Sequence, residues 1–329
     1  LNGLLKIMKQ LENKATGSSN ILITGITGSG GSYLAEYIVS NHPDVNVFGI
    51  CRWHSTSTLI NIENIKNDVV IYECDLLDLS SIIRTLQKVK PIKIFHLAAY
   101  ANVRKCFDTP LSVIHNNITA NLLEAVRMVS SSSIVQICST SEVYGNPLYT
   151  PMDEKHPIQP VNPYSVSKLS QEALAYSYYQ SWGLNVIITR MFAYINPKRT
   201  ALFATDFAKQ IVEIERGERD VLYHGNLDSI RTLIDVRDAM ESYWIACDSC
   251  KTGEAYNIGG SDVVSVGNIL EILKRKSFKT IYSEQDPQLL RPVDITTQIP
   301  DTSKFDSISD WRPKYSLEES IDFLLKYFR

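Results

Sequence analysis

Short apolar runs alternate with stretches of helical period along the first half of the chain. The runs predict strands at 20–24, 45–52, 69–75, 93–99, 133–140 and 184–192. The stretches between them predict helices at 31–42, 78–89, 116–130 and 163–182. The strands are apolar throughout, so both faces of their sheet must be covered. The pattern predicts an α/β fold with a doubly wound parallel sheet between two layers of helices.

The two ends of the chain differ from this pattern. Residues 1–19 predict a short amphipathic helix and a linker, an N-terminal extension that is too short and interrupted for a secretory signal. After about residue 192 the alternation loses its regularity. Glycines and prolines interrupt it at Pro197, Gly217, Gly225, Gly259, Gly260 and Pro287.

Composition narrows the class of protein. The 329 residues include 33 basic and 36 acidic side chains, so the net charge of −3 argues against a nucleic-acid partner. No apolar run is long enough to predict a membrane span. Most of the six cysteines lie in apolar runs, and Cys247 and Cys250 have C-x-x-C spacing without a second pair to complete a zinc site. We expect no metal and a reduced, cytoplasmic setting.

The loop "TGITGSGG" (24–31) follows the first strand and precedes the first helix. Gly25, Gly28 and Gly31 stand where a turn or a close backbone approach excludes a Cβ atom. The helix start would then offer its N–H groups to a pyrophosphate. Strand, loop and helix together predict a dinucleotide site rather than a merely structural turn.

The end of the second strand favours NADP over NAD. An NAD site usually has an acidic residue there, whereas this chain has Arg52, followed by Ser55 and Ser57. A guanidinium would pair with a 2′-phosphate. The alternative is that Arg52 caps the strand at the surface. Asp75 ends the third strand, where an adenine amino group could meet it.

The stretch "NPYSVSK" (162–168) carries candidate chemistry. Tyr164 and Lys168 are four residues apart, so on a helix they share one face. Pro163 suits a first helical turn. A fixed ammonium favours the phenolate, which suits a base that takes a proton from an alcohol. The alternative is a surface helix in which the pair occurs by chance.

"TGITGSGG", "HLAA", "STSEVYG" and "NPYSVSK" together resemble the extended short-chain dehydrogenase/reductases that act on nucleotide sugars. The resemblance covers nearly the whole chain from about residue 20, and "TGITGSGGSYLAEYI" and "GNLDSIRTLIDVRDA" are most similar to the GDP-mannose 4,6-dehydratases. It implies a Rossmann-like NADP-binding domain of residues 20–192, to which a segment at about 223–258 returns. It also implies a smaller C-terminal substrate-binding lobe formed by residues 193–222 and 259–329.

The resemblance also implies roles for individual residues. Tyr164 would be the base, and Lys168 would hold the nicotinamide ribose and lower the phenol's pKa. Thr140 would hydrogen-bond the sugar O4, beside Ser141 and Glu142. The residues implied in cofactor binding are Gly25, Thr27, Gly28, Gly31, Arg52, Asp75, Leu76, Leu97, Ala98, Ala99, Tyr164 and Lys168. Those implied in substrate binding are Arg231 and Arg291 at the diphosphate, Asp294 at a ribose hydroxyl and Lys209 at the base, each with a surface salt bridge as the alternative.

Glu142 bears on the type of reaction. Once C4 of a sugar is a ketone, the C5 hydrogen is acidic and a nearby carboxylate can remove it. Glu142 therefore argues against simple epimerases, but it does not separate a dehydratase from a reductase.

We expect a GDP-sugar 4,6-dehydratase that acts on GDP-mannose or a close GDP-hexose or heptose. The alternatives are a GDP-4-keto-6-deoxymannose reductase, a UDP-sugar epimerase or decarboxylase, and a non-catalytic NADP-binding sensor. The resemblance implies a homodimer or homotetramer that pairs through the helices at 116–130 and 163–182. Ala193, Tyr194, Ile195 and Arg104 depart from the family's usual residues and leave the identity of the sugar open.

Overall fold

A parallel sheet of seven strands forms the centre of the computed structural model, which describes residues 19–52, 59–115, 118–200 and 202–329. The N-terminal extension up to residue 18, and Ser55 and Ser57, lie outside the described residues. The strand order is β3-β2-β1-β4-β5-β6-β11. The strands are β1 Ser19–Thr24, β2 Val45–Cys51, β3 Val69–Glu73, β4 Lys93–His96, β5 Ile134–Thr140, β6 Val186–Met191 and β11 Ala255–Ile258. The predicted doubly wound sheet is confirmed.

Helices lie on both faces of this sheet and in a smaller C-terminal lobe. They are α1 Ser29–Asn41, α2 Leu79–Val89, α3 Pro110–His115, α4 Thr119–Val129, α5 Pro163–Trp182, α6 Phe203–Arg216, α7 Val236–Ser249, α8 Val266–Arg275, α9 Ser303–Ser309 and α10 Leu317–Phe328. Short strands complete the lobe: β7 Tyr194–Ile195, β8 Val221–His224, β9 Ile230–Thr232, β10 Ile234–Asp235, β12 Val263–Ser265, β13 Tyr282–Gln285 and β14 Thr297–Gln298.

The central strand β1 shows why the strands are apolar throughout. Ile21 and Ile23 belong to a buried core that includes Leu34 of α1. Leu22, between them, belongs to the core on the opposite face, with Leu122 of α4. Side chains alternate across a strand, so a strand between two helical layers must be apolar at every position.

Helix α5 covers the predicted range 163–182, and its limits have local causes. The Asn162 side chain accepts from the Ser165 N–H in a capping box, and Pro163 occupies the first helical turn. Gly183 ends the helix with φ 67°, a left-handed conformation that favours glycine.

Several predicted elements are shorter in the structure, among them the strands predicted at 69–75 and 184–192, which are β3 Val69–Glu73 and β6 Val186–Met191. The strand predicted at 93–99 ends at His96, because the Ala98 N–H donates to the Thr24 hydroxyl rather than to a neighbouring strand. The helix predicted at 116–130 begins at Thr119, after the separate helix α3, and residues 116 and 117 lie outside the described residues.

The segment predicted to return to the sheet at about residue 223 returns later. β8 pairs with β13, and β9 pairs with β12 and β14, so these strands belong to small sheets. Leu222 of β8 is buried in a core with Phe207 and Ile269, and this burial keeps β8 away from the large sheet. Within the predicted segment, α7 and β11 join the sheet domain: α7 shares a core with α1, and β11 pairs with β6. Phe305 of α9 is buried in the same core.

Candidate active site

A cleft of about 760 Å³ lies at the carboxyl ends of the sheet strands and continues beside the C-terminal lobe. It includes the point between β1 and β4 where the strand order reverses, which is where ligands bind in open α/β sheets. The cleft brings together these predicted site residues: Gly25, Thr27, Gly28, Gly31, Arg52, Asp75, Leu76, Leu97, Ala98, Ala99, Thr140, Ser141, Glu142, Tyr164, Lys168, Arg231, Arg291 and Asp294.

The glycine loop is packed too closely for larger residues at two positions. Gly25 has φ +72°, and a Cβ there would lie 2.9 Å from the Ala98 nitrogen. A Cβ on Gly31 would overlap the Gly25 carbonyl oxygen, so glycine is required for this close approach of α1 to the loop. Both glycines permit α1 to begin at the cleft, where Ser29 and Gly30 line the wall. A helix N-terminus in this position suits an anionic pyrophosphate.

A chain of hydrogen bonds holds the end of β4 beside this loop. The Thr24 hydroxyl lies 2.8 Å from His96 Nδ1, and the Thr119 hydroxyl lies 2.9 Å from His96 Nε2. Burial, with a contribution from Lys168, lowers the pKa of His96 to about 3. The imidazole is therefore neutral at ordinary pH, and the structure places His96 in the interior as a packed strand residue.

Tyr164 and Lys168 lie on one face of α5 and both line the cleft. Burial raises the pKa of the Tyr164 phenol, while the Arg199 guanidinium and a hydrogen bond from Thr140 oppose that rise. The Lys168 ammonium donates to the Cys138 carbonyl oxygen at 2.6 Å and to Gln171 Oε1 at 3.2 Å. That Lys168 lowers the phenol's pKa stays a prediction, and the structure adds Arg199 as a cation that acts on the phenol in the same direction.

Arg199 is a site residue that the sequence analysis missed. Its Nη2 donates to the Ala101 carbonyl oxygen at 2.8 Å, and its guanidinium hydrogen-bonds the Tyr194 phenol. Three hydrogen bonds hold its loop on α1: Asn196 Nδ2 donates to the Ser29 carbonyl oxygen, and Lys198 Nζ donates to Glu36 Oε1 at 2.7 Å and to the Ser32 hydroxyl at 3.2 Å. The one feature of the sequence that could have indicated Arg199 is the basic pair Lys198–Arg199, which follows soon after the strand predicted at 184–192.

Glu142 lies between the candidate base and the lobe. It belongs to a short 3-10 helix, Ser141–Tyr144, that follows β5. Asn162 Nδ2 donates to Glu142 Oε2 at 2.8 Å, so the residue that caps α5 also orients this carboxylate. The charge of Glu142 acts on both the Tyr164 phenol and the Arg231 guanidinium.

The lobe supplies two arginines and a carboxylate. Arg231 is buried, and burial lowers its pKa; its Nη2 donates to the Ile295 carbonyl oxygen at 2.7 Å. Asp294 Oδ2 accepts from Asn226 Nδ2 at 3.0 Å and from the Ser229 hydroxyl at 3.1 Å. Arg291 Nη1 lies 3.7 Å from Asp294 Oδ1. These groups line the lobe side of the cleft.

Lys209 does not line the cleft. Its ammonium lies 3.7 Å from Glu213 Oε1, and its side chain is 49% exposed. The structure thus favours the surface salt bridge that was the alternative for this residue.

Three of the residues that depart from the family pattern do line the cleft: Arg104, Ala193 and Tyr194.

The described residues contain no group of three or more His, Cys, Asp or Glu side chains arranged to hold a metal ion. Within the same residues, no helix has the length and apolar character that a membrane span requires.

Comparisons with known proteins agree with this geometry. A family model described as GDP-mannose 4,6 dehydratase matches residues 22–323. The chain is 27% identical to the GDP-mannose 4,6-dehydratase of Vibrio cholerae over 91% of this chain and 90% of that protein. It is 26% identical to the GDP-mannose 4,6 dehydratase of Homo sapiens over 91% of this chain and 88% of that protein.

Solved structures share the fold. RMD from Pseudomonas aeruginosa, in complex with NADPH, superposes with a TM-score of 0.81 at 22% identity, over 94% of this chain and 99% of that one. A UDP-glucuronic acid 4-epimerase mutant from Bacillus cereus, with NAD and a fluorinated substrate analogue, gives 0.84 at 26% identity, over 94% and 98%.

We predict that Arg199 sets the acid limb of the pH–rate profile. Arg199→Met removes the charge that lowers the Tyr164 pKa, so the phenol should lose its proton only at higher pH. The acid limb of kcat/KM should move to higher pH, with a loss of about tenfold or more at pH 7. Arg199→Lys keeps the charge and should leave the limb close to that of the wild type. An unshifted limb in the methionine variant would contradict this role.

Proposed function

We propose that this chain, which belongs to the GDP-mannose 4,6 dehydratase family, is an NADP-dependent GDP-sugar 4,6-dehydratase. Its substrate would be GDP-mannose or a close GDP-hexose or heptose, and its product the 4-keto-6-deoxy sugar. The observation that carries the proposal is the position of Glu142, a carboxylate held by Asn162 within electrostatic reach of the Tyr164 phenol. An epimerase has no need of a second proton acceptor beside its base.

The cleft divides into a cofactor side and a substrate side. The start of α1 and the glycine loop would hold the cofactor pyrophosphate, and Asp75 would meet the adenine. Arg52 ends β2 with no carboxylate at that strand end, which supports a 2′-phosphate and hence NADP. When bound, the cofactor would supply the hydride chemistry: oxidation at C4 of the sugar and reduction at C6.

The chain's own residues would manage the protons. Tyr164, as phenolate, removes the O4 proton while Thr140 hydrogen-bonds the same oxygen. Lys168 is held by the Cys138 carbonyl oxygen and would contact the nicotinamide ribose. Glu142 then removes the C5 proton, which the C4 ketone has made acidic, and donates it to the departing C6 hydroxyl, which leaves as water. After C6 is reduced, Glu142 would relay a proton from solvent to C5. Arg231 and Arg291 would bind the diphosphate, and Asp294 a ribose hydroxyl.

We further propose a cytoplasmic homodimer or homotetramer that pairs through α5 and the helices before it. Large apolar side chains are exposed there, among them Leu111, Val166, Tyr176 and Trp182. Such a surface is typical of an interface. Sedimentation velocity should show a species larger than the 37.1 kDa monomer. A monomer at micromolar concentration would refute the assembly and leave the chemistry untouched.

We predict that incubation with GDP-mannose yields a product lighter by the mass of one water, with no net consumption of NADP. Hydride leaves C4 and returns to C6 in one cycle, so only water is lost. Mass spectrometry of the nucleotide sugar measures this result directly. A reductase would instead consume NADPH stoichiometrically with the 4-keto-6-deoxy sugar, and a non-catalytic sensor would convert neither substrate. Tyr164→Phe is the matched inactive control.

We predict that Glu142→Gln separates oxidation at C4 from elimination. The amide oxygen can still accept from Asn162, so the fold of the site should persist. Without a carboxylate the C5 proton should remain, and dehydration should fall by about 100-fold or more. In deuterated water the wild type should place deuterium at C5, and the variant should not. Unchanged dehydration in Glu142→Gln would rule out this residue as the C5 base.

A further inference from the structure

Beyond Arg231 and Arg291 the cleft continues into a section to which no role has been given. Its walls come from the first turns of α6, the end of β8 and a short 3-10 helix, Pro287–Leu289. The residues that line this section are Leu202, Phe203, Asp206, Phe207, His224, Gly225, Asn226, Leu289 and Leu290.

This section adjoins the groups assigned to the diphosphate and ribose. Asn226 Nδ2 donates to Asp294 Oδ2 at 3.0 Å, so the end of β8 lies directly beside Asp294. A Cβ on Gly225 would lie 2.8 Å from the Leu289 carbonyl oxygen, so two of the walls are in close contact. A nucleoside diphosphate with its phosphates at the arginines and its ribose at Asp294 would place its base between the apolar side chains of this section.

Asp206 is the acidic side chain in these walls. Its Oδ2 accepts from Gln210 Nε2 at 2.8 Å. The Gln210 amide is itself immobilised, since it also donates to the Tyr223 carbonyl oxygen at 2.9 Å and accepts from the Tyr223 N–H at 2.8 Å. The carboxylate therefore has a set orientation on α6.

The other oxygen of Asp206, Oδ1, has no hydrogen-bond partner among the described residues. Burial raises the pKa of this carboxyl, and Lys209 and Arg219 offset part of the rise without contacting it. The Asp206 side chain is half-buried and lines the cleft, so this oxygen is placed to accept a hydrogen bond from a ligand there.

The chemistry of a carboxylate selects among the bases. A carboxylate accepts hydrogen bonds and binds best to two parallel N–H donors. Guanine presents such a pair, N1–H and the 2-amino group. Uracil and thymine present one N–H between two carbonyl oxygens, which a carboxylate repels, and adenine presents one amino group beside an acceptor nitrogen.

We propose that Asp206 binds the N1–H and 2-amino groups of a guanine base and selects guanosine diphosphate sugars over uridine and thymidine ones. Each Asp206 oxygen accepts one N–H, and Oδ2 retains its bond from Gln210 through its second lone pair. The inference rests on the proposed function, which it extends to the residue that reads the base.

Isothermal titration of the full chain with four nucleotides tests this role. Wild type should bind guanosine diphosphate more tightly than inosine diphosphate, which lacks the 2-amino group, by about tenfold, and more tightly than uridine diphosphate by about 100-fold. Asp206→Asn should weaken guanosine diphosphate by about 10- to 100-fold.

The same variant should gain affinity for the fourth nucleotide, xanthosine diphosphate. Xanthine has a carbonyl at C2 where guanine has an amino group. The asparagine side chain can present its amide N–H in place of Oδ1. This N–H would then donate to the C2 carbonyl oxygen of xanthine. The amide oxygen can keep the contact with Gln210. Asp220→Asn, which alters an exposed acid of the same lobe outside the cleft, should change none of the four affinities.

The outcomes separate the inference from the proposed function. A wild type that prefers guanosine diphosphate, with an Asp206→Asn variant that keeps this preference and gains nothing for xanthosine diphosphate, would overturn the role of Asp206 alone. Equal wild-type affinity for guanosine and inosine diphosphates would do the same without any variant, so a variant that fails to fold does not leave the idea untested. A wild type that prefers uridine diphosphate would overturn the GDP-sugar assignment as well.

Discussion

The buried ion pair between Arg190 and Glu172 holds α5 on the sheet. Arg190 Nη2 donates to Glu172 Oε2 at 2.7 Å, and the two side chains are only 7% and 5% exposed. Glu172 also accepts from the Ser139 hydroxyl, so one carboxylate joins α5 to both β5 and β6. Loss of one partner would leave a buried charge, at a cost of about 3–5 kcal/mol. The positions of Tyr164 and Lys168 on the same helix depend on this contact.

The distribution of charge in the cleft follows the path of an extended anionic ligand. Positive groups occur at the N-terminus of α1, at Lys168 and Arg199 in the centre, and at Arg231 and Arg291 in the lobe. Carboxylates lie between or beyond these positive groups. Two of the carboxylates are oriented by a side-chain amide: Asn162 donates to Glu142, and Gln210 donates to Asp206. Under the proposed function, attraction for phosphates would come from groups separate from those that act on the sugar or the base.

The sequence predicted the parts of the structure that local patterns determine. The strands were visible because burial on both faces makes every position apolar, and α5 was visible because Asn162, Pro163 and Gly183 mark its ends. The glycine loop and the Tyr164–Lys168 pair predicted which end of the sheet carries the cleft, since carboxyl ends of parallel strands meet at one edge.

The rest depends on contacts between distant segments. Arg199 reaches the cleft only because Asn196 and Lys198 attach its loop to α1, far earlier in the chain. On α6 the resemblance pointed to Lys209, but Asp206 and Gln210 face β8 and the cleft. Lys209, one residue before Gln210, is turned by about 100° to the outside. The rotation of a helix about its own axis decides which of its residues face the cleft. It is set by packing against neighbouring elements, so the residue types alone do not predict it.

The attachment of the 194–200 loop to α1 also bears on how this architecture can be recombined. Lys198 donates to Ser32, Glu36 and the Asn61 carbonyl oxygen, so a loop counted with the substrate lobe is anchored on the nucleotide-binding domain. A chimera with its junction at residue 192 would import a foreign loop onto this α1 and lose those bonds. A junction after residue 200 would keep them. The chain therefore first leaves the sheet domain beyond this loop, where α6 begins, before α7 and β11 return to it.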